Sequence, residues 1–128
     1  MPALLDTHTL LWWLDGDERL SIAAREWIQE PAHNIWVSAA SAWEITTKVR
    51  IGKLPGAVTV AENFQACLEQ QGFASLSITT SHALRAGSLP GPHRDPFDRM
   101  LIAQSQADNL VLISNETLFD QYGIRRIW

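Results

Sequence analysis

Five short apolar segments, separated by stretches with the spacing of helices, constrain the fold of this chain more than any other feature. We predict strands at residues 3–5, 35–37, 76–78, 110–113 and 124–128. The first, second and fourth are unbroken apolar runs, which are typical of strands buried on both faces of a parallel sheet. Alternation of such strands with helices predicts an α/β fold, here a three-layer α/β/α domain with a mainly parallel sheet of about five strands.

The stretches between these strands carry the start and stop signals of helices. Ser21 is a suitable N-cap, and Pro96 suits the first turn of a helix. Pro55 and Gly56 predict a loop over residues 52–59. The predicted helices span residues 7–14, 21–29, 39–49, 60–71 and 96–107, with a short helix before Leu89 and a helical turn over residues 117–122.

Length and composition indicate one globular domain over residues 1–128. The chain is 46% apolar and 19% charged, a balance that argues against disorder. Cys67 is the only cysteine, so an internal disulfide is impossible. No apolar run approaches the roughly 18 residues that a membrane span needs, and no signal sequence is recognisable. We therefore expect a cytoplasmic protein that does not associate with a membrane.

Several acidic residues lie where predicted strands end or helices begin. In parallel α/β folds, ligands bind beyond the carboxyl ends of the strands. Asp6 directly follows the first strand, and Glu116 follows the fourth. Asp95 and Asp98 lie at the start of a helix, and Glu44 lies within one. Each acid also has an ordinary explanation, namely a helix N-cap for Asp6, an exposed helix surface for Glu44, and a favourable helix dipole for the others.

Convergence of these acids would create a metal site. Carboxylate oxygens are ligands that suit Mg²⁺ or Mn²⁺. Without a cation the carboxylates would repel one another and raise one another's pKa values. A bound cation removes that repulsion, lowers the pKa of a bound water and bridges phosphate oxygens, as the hydrolysis of a phosphodiester requires.

The basic residues are few but lie close to these acids in the sequence. The net charge of −4 argues against a general nucleic-acid binder. Lys48 nonetheless follows Glu44 by one helical turn, and Arg99 directly follows Asp98. We predict that Arg99 or Lys48 contacts substrate phosphates, and the alternative is that both are solvated surface residues.

Other kinds of site find no support in the sequence. The four histidines lack the Cys/His spacing of a zinc site, and neither a GxxxxGK[ST] loop nor a GxSxG turn is present. His8 could contact substrate because it lies near Asp6. The other histidines, including His82 and His93, are expected at the surface or in packing, and Trp43 is expected in the core or half-buried.

Four sequence blocks resemble those of the PIN-domain family. They are residues 4–13 (LLDTHTLLWW), 43–54 (WEITTKVRIGKL), 93–104 (HRDPFDRMLIAQ) and 112–123 (LISNETLFDQYG). The blocks occur in the order of the family and span nearly the whole chain, and the third is the most specific. The chain therefore resembles this family over most of its length.

The resemblance implies roles for particular residues. Three acids match positions that bind metal in the family, namely Asp6, Glu44 and Asp98, and the resemblance implies that they are metal ligands here. The fourth family position, which is usually Asp, falls on the longer Glu116, and Asp95 or Asp120 could substitute for it. Ser114 matches a position that is usually Ser or Thr, and it is expected to supply a hydroxyl beside the ligands.

Within the family, the chain is similar to the VapC-type toxins of bacterial toxin–antitoxin pairs. This similarity implies a metal-dependent endoribonuclease that hydrolyses RNA phosphodiester bonds with an activated water and Mg²⁺ or Mn²⁺. It further implies a homodimer and a small antitoxin whose tail fills the cleft. The alternative is a degenerate or non-RNA-directed domain: a DNA nuclease, a phosphatase, or a module that only binds RNA or protein.

Overall fold

A five-stranded parallel sheet forms the centre of the computed structural model, which describes residues 2–128. The strands are β1 (Ala3–Leu5), β2 (Ile35–Ser38), β3 (Ala74–Leu76), β4 (Val111–Ile113) and β5 (Arg126–Ile127). Their spatial order is β3-β2-β1-β4-β5, and every neighbouring pair is parallel. The predicted α/β class and the parallel sheet of five strands are confirmed.

Helices occupy most of the connections between the strands. They are α1 (Thr7–Asp15), α2 (Ile22–Gln29), α3 (Ala39–Arg50), α4 (Val58–Glu62), α5 (Phe64–Gln71), α6 (Thr80–Ser88) and α7 (Pro96–Asp108), with 3₁₀ turns at Pro55–Ala57 and Thr117–Tyr122. Ser21 caps α2 as predicted, because its side chain accepts a hydrogen bond from Ala24 N. Within residues 2–128, no helix is long and apolar enough to cross a membrane.

The two faces of the sheet bury different side chains. Leu5 packs in one core with Leu10 of α1 and Leu68 of α5. Leu4, its neighbour on β1, packs in the other core with Leu101 of α7. Successive side chains of a strand point to opposite faces, so β1 contributes to both cores. The result is the predicted α/β/α arrangement of three layers.

The predicted helix over residues 60–71 is instead two helices. Asn63 leaves helical geometry, with φ −128° and ψ 35°, and separates α4 from α5. Its side-chain amide donates to Thr59 O at 3.0 Å. Side chains of Asn type form such local bonds with the backbone and so end helices. α4 also extends into the region that was predicted to be a loop.

Two strands differ in extent from the prediction. β3 begins two residues earlier than the predicted segment 76–78, because it pairs with β2 up to Ser38 opposite Leu76. The chain beyond it leads to Thr79, which caps α6. β5 is shorter than the predicted segment 124–128, because it pairs with only two residues of β4.

The direction in which strands are added reverses at β1. The chain proceeds from β1 outward to β2 and β3, and then returns to place β4 on the other side of β1. Such a reversal leaves a crevice outside the carboxyl ends of the two central strands, where ligands bind in open α/β folds. Asp6 directly follows β1, and Ser114 directly follows β4.

Candidate metal centre

Asp6 lies at this crevice and also caps a helix. Its backbone N–H donates to Ile113 O at 3.1 Å, which ties it to the end of β4. Its Oδ1 accepts from Thr9 N at 2.8 Å, so it is the N-cap of α1. The two interpretations of Asp6 made from the sequence are therefore compatible, because the cap uses one oxygen and fixes the orientation of the carboxylate.

Ser114 joins Asp6 from the neighbouring strand. The Ser114 hydroxyl donates to Asp6 Oδ2, and Ser114 Oγ accepts from Glu116 N at 3.0 Å. Burial raises the pKa of Asp6, and the hydrogen bonds from Ser114 and Thr9 only partly offset this effect. The structure thus brings Ser114 to Asp6, as the prediction of a hydroxyl at this position requires.

Glu44 on α3 is buried, contrary to the usual exposure of a glutamate within a helix. Its Oε1 accepts from the Thr7 hydroxyl at 2.6 Å, and Thr7 Oγ1 lies 3.0 Å from Ser41 Oγ. Its Oε2 accepts from Lys48 Nζ at 2.5 Å. Two side chains, Thr7 of α1 and Lys48 of α3, therefore bind this carboxylate inside the protein.

Trp43 has the opposite exposure from the one predicted. Its side chain is 59% exposed, whereas that of the adjacent Glu44 is 4% exposed. Trp43 makes an edge-to-face contact with Phe97, with ring centroids 4.7 Å apart. The prediction that Trp43 belongs to the core was wrong, because α3 turns its acid, and not its aromatic residue, toward α1.

Lys48 neutralises part of the negative charge. Partial burial lowers the pKa of Lys48, but the hydrogen bond and attraction from Glu44, with Asp95 and Asp98 nearby, outweigh burial and raise it. The lysine is therefore fully charged at neutral pH. It takes the position of a counter-ion next to the acids.

Asp98 lies in the first turn of α7, where Asp95 is the N-cap. Asp95 Oδ1 accepts from Phe97 N at 2.8 Å and from Asp98 N at 3.1 Å. Burial and the repulsion of four nearby carboxylates raise the pKa of the Asp98 carboxyl to about 8. These carboxylates belong to Asp95, Glu44, Asp6 and Glu116. Besides the neighbouring Asp95, acids from three other parts of the chain thus act on Asp98.

The converging acids do not form a closed cage. Within residues 2–128, no three carboxylate, imidazole or thiol groups are close enough together to form a ready-made metal site. The negative charges of Asp95, Glu44, Asp6 and Glu116 nevertheless act on Asp98, where they add to the effect of burial and raise the pKa. An open group of hard oxygen donors fits Mg²⁺, which binds through one or two carboxylates and keeps several of its waters.

The residues considered for the fourth position differ in their surroundings. Glu116 is exposed and caps the 3₁₀ turn, with Oε1 accepting from Leu118 N at 3.1 Å, and its charge still reaches Asp98. Asp120 instead pairs with Arg126 at 2.8 Å, which lowers the pKa of Asp120. The structure therefore brings Glu116 to the cluster and directs Asp120 elsewhere.

Arg99 has a different role from the predicted phosphate contact. Its guanidinium donates to three backbone carbonyls, those of Ala86 at 3.0 Å, Leu89 at 2.6 Å and His93 at 2.9 Å. These bonds hold the loop between α6 and α7. We correct the prediction for Arg99 accordingly and retain Lys48 as the predicted phosphate contact.

Sequence reasoning missed several residues that support the acids. Thr7 and Thr9 were not singled out, although their position after Asp6 on the same helix was a usable signal. His93 was assigned to the surface or to packing, yet its buried Nε2 lies 3.0 Å from Asp98 Oδ2. Nothing in the spacing from His93 to Asp98 could have indicated this contact, because it depends on the path of the loop.

Known proteins resemble this chain in sequence and in fold. Residues 3–124 match the family model described as PIN domain. Over 101 residues, 78% of this chain and 75% of the relative, it is 34% identical to Ribonuclease VapC22 of Mycobacterium tuberculosis. Its fold is similar to that of VapBC2 from Rickettsia felis bound to a promoter DNA fragment, with a TM-score of 0.68, 14% identity, and coverage of 98% of this chain and 97% of that one. A toxin–antitoxin complex from Klebsiella pneumoniae gives a TM-score of 0.59 at 21% identity, covering 90% and 87% of the two chains.

Proposed function

The chain belongs to the PIN-domain family, and on that basis we propose that it is a divalent-metal-dependent endoribonuclease acting as a single domain over residues 1–128. The name of its mycobacterial relative, a ribonuclease at 34% identity, supports RNA as the substrate. The observation that carries the proposal is a pair of buried acids at the end of β1: Asp6 directly follows the strand, and Glu44 accepts a hydrogen bond from the next residue, Thr7. Burial and the repulsion of neighbouring carboxylates, those of Asp6 and Glu44 among them, also raise the pKa of Asp98 to about 8.

Asp6, Glu44 and Asp98 are the residues that would hold the ion, Mg²⁺ or Mn²⁺. Their oxygens are hard donors, and their mutual repulsion in the free protein favours a cation among them. When bound, the ion supplies a Lewis acid for the phosphate and lowers the pKa of a water. The chain itself fixes the acids, since Ser114 holds Asp6 and Thr7 holds Glu44.

Lys48 and Glu116 are assigned supporting roles. Lys48 neutralises Glu44 in the free protein. Once an ion supplies that positive charge, the ammonium group of Lys48 can contact an RNA phosphate. Glu116 has one oxygen engaged in the helix cap, so we assign it contact with the ion through a water, or with a second, weaker ion.

The similarity to toxin–antitoxin complexes supports a biological role for the nuclease. We propose that the chain is the toxin of such a pair, that it forms a homodimer, and that a small antitoxin protein binds it and fills the cleft. The activity would act on RNA in the cytoplasm. A short neighbouring gene that encodes a DNA-binding protein would support this role.

The proposed activity is tested with RNA, single-stranded DNA and a small phosphate ester, each incubated with Mg²⁺, with Mn²⁺ and with a chelator. We expect cleavage of RNA in the presence of either ion and none with the chelator. Asp6→Asn and Asp98→Asn should abolish cleavage in proteins that remain folded by circular dichroism. Asp108→Asn is a matched control at the other end of α7, and it should cleave as the wild type does.

Two outcomes would contradict the proposal. Full RNA cleavage by folded Asp98→Asn protein in saturating Mg²⁺ would refute the assignment of the site. Failure of the wild-type protein to bind any divalent ion by calorimetry would indicate a degenerate domain that only binds RNA or protein, because the proposed chemistry requires the ion.

A further inference from the structure

His93 lies on the loop between α6 and α7 and is fixed from several sides. Its side chain is buried, and its ring packs against Phe119 with centroids 5.5 Å apart. Its backbone N–H donates to the Tyr122 hydroxyl at 3.0 Å, and its carbonyl accepts from Arg99 at 2.9 Å. Surface loops are usually more mobile than the helices and strands that they connect, but the contacts of His93 restrain this one. The position of the imidazole is therefore determined by packing and hydrogen bonds on both flanks.

The loop around His93 packs closely against the 3₁₀ turn at Thr117–Tyr122. Gly91 has φ +95°, and a Cβ at this position would lie 2.8 Å from the Tyr122 hydroxyl oxygen. Arg99 on α7 holds the same loop through the carbonyls of Leu89 and His93. Together with the bond from the His93 N–H to the Tyr122 hydroxyl, these contacts hold His93 against the start of α7.

The imidazole points at a proposed metal ligand. His93 Nε2 lies 3.0 Å from Asp98 Oδ2, but the angle does not meet that of a hydrogen bond. His93 Nε2 is therefore a buried polar atom that has no hydrogen-bond partner among residues 2–128. Buried polar atoms are normally paired because leaving them unpaired is costly.

We propose that His93 is a positioning residue for Asp98, a role that rests on the proposed function because it presupposes that Asp98 binds a divalent ion. The imidazole N–H donates to Oδ2 of the ionised carboxylate and leaves Oδ1 to face the ion. A hydrogen bond of this kind orients a metal ligand and makes it a better donor. Its loss should weaken metal binding about tenfold or more.

The test is the affinity for Mn²⁺, measured by calorimetry on the full chain. His93→Phe keeps an aromatic ring against Phe119 but removes the donor, and we expect its Kd for Mn²⁺ to rise about 10–100-fold. His93→Gln retains an N–H at a similar distance from the backbone, and its Kd should stay within about threefold of wild type. If the Phe variant does not fold, His93→Leu, which also lacks a donor, takes its place.

His82→Gln is a matched control. His82 is also a buried histidine with an acidic partner, Asp108 at 3.2 Å. Its Nδ1 accepts from the N–H of Thr79, the N-cap of α6, and it is not among the residues of the metal centre. Gln is well suited to the same capping position. The Mn²⁺ affinity of His82→Gln should equal that of wild type, which separates a general effect of removing a buried histidine from an effect on Asp98.

The stabilisation by metal provides a second measurement. An ion that binds only the folded state raises the Tm, and at a given concentration it does so more when it binds more tightly. Mn²⁺ should therefore raise the Tm of His93→Phe less than that of wild type. Equal Kd values in wild type and His93→Phe would overturn the role of His93 while leaving the metal site intact. If even the wild type fails to bind Mn²⁺, the proposed function itself is wrong and this inference falls with it.

Discussion

Trp43 and Glu44 are neighbours on α3 whose exposures are the reverse of what their side chains favour. The indole is largely exposed, and the carboxylate is buried with Thr7 and Lys48 as its partners. Burying a carboxylate is costly unless it is paired. Residues that break the local rules in this way are expected at functional sites, and Glu44 is such a residue.

The raised pKa of Asp98 makes the stability of the metal-free protein depend on pH. The ordinary pKa is 3.8 and the folded value is about 8, so between these values the folded protein holds a proton that the unfolded chain has lost. The free energy of unfolding should therefore fall as pH rises through this window, by up to about 1.4 kcal/mol per pH unit.

Asp98→Asn removes the titrating group, so it should flatten this slope and make the metal-free protein more stable at pH 8. The measurement is urea unfolding of both proteins from pH 5 to pH 8 in the presence of a chelator. If the free energy of unfolding depends on pH equally in the two proteins, the pKa of Asp98 is not raised in the folded protein.

Glu116 should matter less than the central acids. Glu116→Gln keeps the cap on the 3₁₀ turn but loses the charge, so we expect a smaller loss of RNA cleavage than for Asp6→Asn. Higher Mn²⁺ concentrations should partly restore RNA cleavage by Glu116→Gln, because a metal site of lower affinity fills at a higher ion concentration. Glu116→Asp should be tolerated. The measurement is cleavage rate against metal concentration, and wild-type behaviour of Glu116→Gln throughout would make Asp95 the better fourth candidate.

At the level of elements, the loop between α6 and α7 joins the start of α7 to the 3₁₀ turn at Thr117–Tyr122. Gly91→Ala should destabilise the protein by about 1–3 kcal/mol, because alanine at positive φ is strained and its Cβ would meet the Tyr122 hydroxyl. Thermal or urea unfolding measures the effect. Combining the change with Tyr122→Phe should recover only the part due to the collision with the hydroxyl, because the ring carbon Cζ, 3.1 Å from the added Cβ, remains.

Gly87→Ala is the matched control for this loop. Gly87 lies within α6, and a Cβ there would meet nothing within 4 Å. Alanine is favoured over glycine in a helix by about 1 kcal/mol, so this variant should be as stable as wild type or more so. A loss of stability equal to that of Gly91→Ala would contradict the role assigned to the loop.

Local sequence signals, such as helix caps, predicted most helices and strands. They failed where contacts between distant parts of the chain determine the bounds of an element. The Asp6 and Ser21 caps gave the starts of α1 and α2. The break at Asn63 was missed because the surrounding sequence has helical spacing. The position of β3 was displaced because its register is fixed by pairing with β2, and such pairing is not encoded in the strand itself.

For the molecule as a whole, Lys48 is the cation predicted to contact RNA. In the inactive Asp6→Asn background, Lys48→Ala should weaken RNA binding and reduce the slope of log K against log salt by up to about one unit. Binding at several salt concentrations measures this slope. Lys53→Ala, which changes an exposed lysine, is the control, and equal slopes in both variants would mean that Lys48 is only a counter-ion for Glu44.

The sequence predicted candidate residues for the site, but it did not predict how their side chains are arranged. Strand ends and family blocks singled out Asp6, Glu44, Asp98 and Glu116, and the charges of the other three act on Asp98. Their role as metal ligands stays a prediction. The assignment of Arg99 to phosphates failed because adjacency in sequence to Asp98 does not fix the direction of a long side chain. The partners of Glu44 could not be predicted either, since they depend on how α1 packs against α3.

The bond between Ser114 and Asp6 joins residues 108 positions apart. A ribosome synthesises the amino-terminal part of a protein first, and domains fold as their segments emerge. During synthesis, β1 therefore waits without its neighbour β4 until the ribosome has added residues 111–113. A nascent chain that stops short of Ser114 cannot assemble the crevice around Asp6, so the nuclease site cannot form before that residue has been made.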